Sequence, residues 1–157
     1  MAMKRYILLA LLLITTLTTH AEIPQITALG KQASKQKSVE HTSVGSFMLS
    51  MAATFAEKEQ RETFKMLDNI EMIECKNRSY TPVLMARTMK IVDEIGADYI
   101  GSKDDGGALN ELYGISKGGV ITELIIVVTS HNGNASVVAM SGEIPHSRLG
   151  EIEKIKR

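Results

Sequence analysis

"GVITELIIVVTSHNGNASVVAMSGEI", residues 119–144, decides the fold. Two apolar stretches flank Asn132-Gly133, a dipeptide that tolerates the positive φ angles of a tight turn, and this pattern predicts a β-hairpin. In the first stretch, alternation sends Val120, Leu124, Ile126 and Val128 one way and Ile121, Glu123, Ile125 and Val127 the other. Both sets are apolar over the C-terminal half, so this strand is expected near the middle of a sheet.

Immediately upstream stands "GISKGG", residues 114–119, which has the glycines and the lysine of a phosphate-cradling loop. In such a loop the lysine follows the last glycine and a helix begins there, so that its amides meet the phosphate. Here Lys117 precedes Gly118 and Gly119, and "VITELIIVV" follows as strand. The stretch therefore reads as a hairpin turn that uses glycine for positive φ. Working outward, "ALNELYGI" supplies the preceding strand and "GADYIGSKDDGG" another that ends in an acidic glycine turn. Asp104 and Asp105 do not have the alternating oxygens and the later glutamate of a calcium loop, so a solvated turn is expected there. Further upstream, "IEMIECKN", residues 70–77, alternates as a short strand.

Between these strands the period changes. Leu84, Thr88, Ile91, Val92 and Ile95 share one face of a helix that begins at Pro82, with Thr81 as its expected cap and Gly96 as its left-handed stop. Arg87, Lys90, Asp93 and Glu94 fall on the other face. A second helix is predicted over "SFMLSMAATFA", where Phe47, Met48, Met51, Ala52 and Phe55 recur at helical intervals as a face expected to be buried. "EKEQRETFKMLDNI" extends it or forms another short helix. The methionines on predicted helices, Met48, Met51, Met66, Met85 and Met89, are expected to fill the core. In the tail, "SRLGEIEKIKR" is expected to form a short helix with Leu149 and Ile152 inward.

Residues 1–21 read as a signal peptide. Lys4 and Arg5 precede the apolar run from Tyr6 to Leu17, and Thr19 and Ala21 fit the small-residue cleavage pattern. The run is shorter than the roughly 20 residues a membrane span needs. Cleavage after Ala21 leaves 136 residues with 16 basic against 18 acidic side chains, near neutrality and without the basic excess of a nucleic-acid binder. Residues 22–43, "EIPQITALGKQASKQKSVEHTS", are polar and aperiodic and read as a flexible linker, which leaves 44–157 as one globular domain. The expected fold class is α+β, a two-layer sandwich with helices on one face of a largely antiparallel sheet of four to five strands.

Candidate chemistry is sparse. Cys75 has no partner for an internal disulfide and reads as a small buried strand residue; as a nucleophile it would need a base from His41, His131 or His146. Those histidines lack the paired spacing of a zinc site and are expected at the surface. No catalytic, cofactor-binding or metal residue is assigned, and no cofactor is implied.

From Phe47 onward the order of segments resembles the family called domain of unknown function 4252, on "MLDNIEMIECKN", "GADYIGSKDDGG", "LYGISKGGVITELIIVV" and "VVAMSGEI". The resemblance covers about 110 residues and implies a small exported or envelope protein of Gram-negative bacteria, with no catalytic residues to transfer. Many members of that family begin the mature chain with a lipid-attachment cysteine, which is absent here. The expected function is that of a non-enzymatic exported module in the periplasm or outside the cell, binding an envelope protein or a small ligand. The alternative is a periplasmic enzyme such as a cysteine-dependent hydrolase using Cys75. A third expectation is assembly through an exposed edge strand at "ADYIG".

Overall fold

The computed structural model describes residues 23–150 and Ile152; the expected signal peptide lies outside the described residues. Among the described residues four α-helices and six strands follow in order, with a short 3-10 helix (His146–Arg148) after them: α1 (Pro24–Ala33), β1 (Val39–Gly45), α2 (Ser46–Phe55), α3 (Lys58–Lys65), β2 (Leu67–Cys75), α4 (Thr81–Ile95), β3 (Asp98–Asp104), β4 (Ala108–Lys117), β5 (Val120–Ser130) and β6 (Ala135–Pro145). The strands form one six-stranded sheet in the order β1-β2-β6-β5-β4-β3. Every neighbouring pair is antiparallel. The fold is α+β, as expected from the sequence, with one more strand than the four to five expected.

The extra strand comes from the region read as linker. The described part of the expected linker 22–43, residues 23–43, is not a flexible spacer: Ile26, Leu29 and Ala33 of α1 are buried, and β1 pairs along its length with β2, Val39 opposite Cys75 and Val44 opposite Ile70. Three apolar residues spaced three and four apart among polar ones suffice to seat a short helix on a sheet, and Pro24 opens it without losing a hydrogen bond.

Helices cover both faces of the sheet, not one. On the first face α1 and α4 lay Ile26, Leu29, Leu84 and Val92 over Ile73, Cys75, Ile125, Val127 and Val137. On the second, Leu49 of α2, Phe64 of α3 and the C-terminal Leu149 and Ile152 pack with Leu67, Leu124, Ile126, Val138, Met140 and Ile144. The inward packing of Leu149 and Ile152 agrees with the sequence reading of the tail. Being central, β5 must satisfy both cores, which is why Leu124 through Val128 are all buried. A bulge between Ile121 and Glu123 shifts the alternation, so Ile121 joins Leu124 on the second face instead of siding with Ile125.

Local signals hold at most joints. Gly118 and Gly119 form the two-residue turn between β4 and β5 with φ of 59° and 79°, the backbone a tight hairpin asks for, so "GISKGG" is a bend. In α4, Gly96 takes the left-handed stop at φ 71°. Thr81 does not cap that helix from outside: it is the first helical residue, preceded by Tyr80, and its hydroxyl donates to the carbonyls of Asn77 at 3.3 Å and Gly133 at 2.9 Å. The acidic turn after β3 uses its own carboxylates, Asp104 accepting from the amide of Gly106 and Asp105 from those of Gly107 and Ala108.

Candidate functional site

The sequence candidate Cys75 is 1% exposed, on the first face of the sheet. Its thiol lies 3.3 Å from the carbonyl of Asn77 and 3.6 Å from the Thr81 hydroxyl, and no histidine is among these partners. His131 is exposed beyond the end of β5, and His146 meets Ser116 at the surface, 3.1 Å from its hydroxyl. The structure thus places Cys75 as the packing residue the sequence suggested, and among the described residues no histidine is bonded to it.

His41 departs from expectation. It is not a surface residue: its side chain is 11% exposed and its Nε2 lies 2.5 Å from Oε2 of Glu71, which is itself 1% exposed. Glu71 occupies the inward-facing register of β2 with Asn69, Ile73 and Cys75, directly opposite Ser43 of β1. Its other oxygen, Oε1, accepts from the hydroxyls of Ser43 at 2.7 Å and Thr27 at 3.2 Å, and from the amide of Asn69 at 3.5 Å. Burial pushes the Glu71 carboxyl up, but the hydrogen bonds from Ser43, His41 and Asn69, with the nearby His41 charge, outweigh it and hold the group below its ordinary value. Above the cluster, α1 comes so close that a Cβ added to Gly30 would collide with the His41 ring.

This cluster is a latch fastening α1 and β1 to β2. The Ser43 hydroxyl donates to one oxygen of the carboxylate and His41 meets the other, so Ser43 and His41 are joined through Glu71 and not to each other. It is not legible in the sequence, because residues 22–43 read as linker and that reading leaves Thr27, His41 and Ser43 outside the fold. The available signal was Glu71 itself, which shares the alternating register of Ile73 and Cys75 and so demands polar company when that register is inward.

The surface feature that stands out lies on α2. Phe47 is 73% exposed, Met48 57%, Met51 46% and Phe55 86%, all on the outer side of the helix. The expected burial of this face is reversed: the helix turns Leu49 and Ala53 to the sheet. Of the methionines expected in the core, Met48 and Met51 are therefore outside, while Met85 and Met89 pack against the first core. Beside the exposed stripe, α2 and α3 bound an open groove of about 380 Å³ lined by Ser50, Ala53, Thr54, Arg61 and Lys65. Arg61 donates to the carbonyls of Ala53 at 3.1 Å and Ala56 at 3.2 Å, capping the end of α2. Lys65 pairs with Glu62 at 3.4 Å in solvent.

Residues 33–152 match the family described as Domain of unknown function (DUF4252). The chain belongs to the DUF4252 family. The DUF4252 match begins at the last residue of α1 and takes in all six strands, α2 to α4 and the C-terminal turn, so the exposed stripe and the groove lie within it, whereas Thr27 of the latch lies outside. No curated protein and no solved structure matches the chain.

Proposed function

We propose that this DUF4252 protein is a non-enzymatic exported module that binds a component of the cell envelope through the outer face of α2. The observation that carries the reading is the uncharged stripe of Phe47, Met48, Met51 and Phe55, because scattered exposed apolar residues are ordinary whereas four on one helix face mark an interaction site. The burial of Cys75 and the commitment of His41 and Ser43 to Glu71 support a binding role over a cysteine-dependent hydrolase. Export is supported by Lys4, Arg5 and the apolar run that follows them, and a recovered chain beginning at Glu22 is the mass that would bear it out. Among the described residues no helix is long and apolar enough to cross a membrane.

The test is in-cell photocrosslinking from position 51, with position 132 in the exposed loop between β5 and β6 as the comparison. A single adduct of defined mass formed at 51 and not at 132 supports the reading. Equal labelling at both positions, or none at 51, contradicts it.

A further inference from the structure

We infer that the outer face of α2 is a self-association surface, on which a second copy of this chain docks antiparallel about a two-fold axis at Met51. The inference rests on the binding-module reading and names the occupant of its face.

Three observations converge. First, the stripe reads the same in both directions. Phe47 and Phe55 stand one turn either side of Met51, so a reversed copy centred there sets Phe47 against the partner's Phe55 and Met51 against its own counterpart. A two-fold interface requires that self-complementarity, because one patch serves both partners. Aromatic edges and methionine sulfur also pack well on one another.

Second, a ridge and a groove lie side by side on this helix. Phe47, Met51 and Phe55 form one row, and the smaller Ser50 and Thr54 form the next, along the groove that Ala53, Arg61 and Lys65 complete. A reversed copy lays its aromatic row into that groove and receives the other in return. No free donor is needed for this. Arg61 keeps the carbonyls of Ala53 and Ala56, Thr54 keeps that of Ser50 and Lys65 keeps Glu62, while a ring packs against the side-chain stems.

Third, charge and area both suit a second copy. No residue of α2 is charged, and in the adjoining segment 57–65 Lys58, Arg61 and Lys65 are matched by Glu57, Glu59 and Glu62. Such a face selects neither an anionic nor a cationic partner, and it meets its own copy without net repulsion. Phe47, Met48, Met51 and Phe55 offer roughly 500 Å² at their exposures, and the exposed Ser50, Ala52 and Thr54 bring the face to the roughly 600 Å² per partner at which specific interfaces begin. That is the size of a dimer formed at micromolar concentration, with the face open in more dilute protein.

The test is sedimentation of the full chain, whose apolar leader is common to every variant, so that differences between variants belong to α2. From about 1 to about 100 µM the parent chain should pass from monomer to dimer. The dimer should hold or tighten as salt rises, because the contact is apolar. Met51→Lys puts two like charges on the axis and should weaken association about tenfold or more, as should Phe47→Ser with Phe55→Ser. Met51→Glu alone should do the same, and an equal mixture of Met51→Lys and Met51→Glu should restore the dimer. Should a variant at 51 fail to fold, Phe55→Lys mixed with Phe47→Glu tests the same register and should associate more tightly than either alone. Crosslinking from 51 should then yield a product of twice the chain mass.

A chain that stays monomeric throughout the range overturns the inference. So does association that Met51→Lys leaves unchanged, or that mixing the opposite charges does not restore. If the chain stays monomeric while crosslinking from 51 captures one identified protein of another kind, the second copy falls and the binding module stands; if neither reports contact, both fall.

Discussion

Helices α2 and α4 both carry apolar residues at helical spacing, and those residues face opposite ways. In α4 the charged residues Arg87, Lys90, Asp93 and Glu94 mark the solvent side, so Leu84, Thr88, Ile91 and Val92 go inward, and all four are buried. In α2 the sequence "SFMLSMAATF" has no charge at all, and its polar residues are the hydroxyls Ser46, Ser50 and Thr54. With no charged face to oppose, hydrophobic spacing alone does not orient a helix. The orientation of α2 goes with its place in the fold. It follows β1 at the sheet edge, Leu49 and Ala53 meet the second face, and small Ala53 lies close enough to α3 for Arg61 to reach its carbonyl. The larger Phe and Met side chains are left outside. What separates the helices is charge placement, and a long apolar stripe without it is as compatible with a binding face as with a core.

The contrast can be broken by substitution. The largest effect is expected at Leu84→Ala in α4, about 3 kcal/mol of destabilisation in chemical unfolding, because the side chain is fully buried and leaves a cavity. Leu49→Ala, on the inner side of α2, should cost about 2 kcal/mol by the same measurement, and a cost near zero would mean that α2 is not seated as described.

The third helix on the sheet, α1, is held partly by polar contacts and therefore answers to pH. With the Glu71 carboxyl held below its ordinary 4.5, ionised Glu71 stabilises the fold fully above that pH, and this contribution is lost as pH falls through the lower folded value. Glu71→Gln should cost about 2 kcal/mol at neutral pH. Its melting temperature should then fall less steeply than the wild type's on acidification below pH 4.5; parallel curves would remove Glu71 from the acid response. The smallest effect is expected at Phe55→Ser, within about 0.5 kcal/mol, since the ring is in solvent.

The legible parts of the fold were those where each residue had one task. The hairpins around Gly118-Gly119 and Asn132-Gly133, the central position of β5 and the inward face of α4 could all be read from turn chemistry and alternation. The illegible parts were those that depend on a distant partner. β1 has the polar sequence "VEHTSVG", whose strand character comes from pairing with β2 and from the buried carboxylate across from Ser43. The linker reading of residues 22–43 failed for that reason, and the latch went with it. Ile121 was misplaced by a bulge that alternation does not encode. The candidate surface was visible as a pattern of Phe and Met, but its direction was not.

The central claim is that the apolar stripe of α2 faces solvent, and native thiol labelling tests it most directly. Met51→Cys and Leu49→Cys are exposed to a maleimide under folding conditions and after unfolding, with the parent chain, whose buried Cys75 is uncovered only by unfolding, as the blank for each condition. Position 51 should react at once in the folded protein, while position 49 should react only on unfolding. Rapid labelling at 49 with protection at 51 would show the helix turned the other way and would remove the binding face.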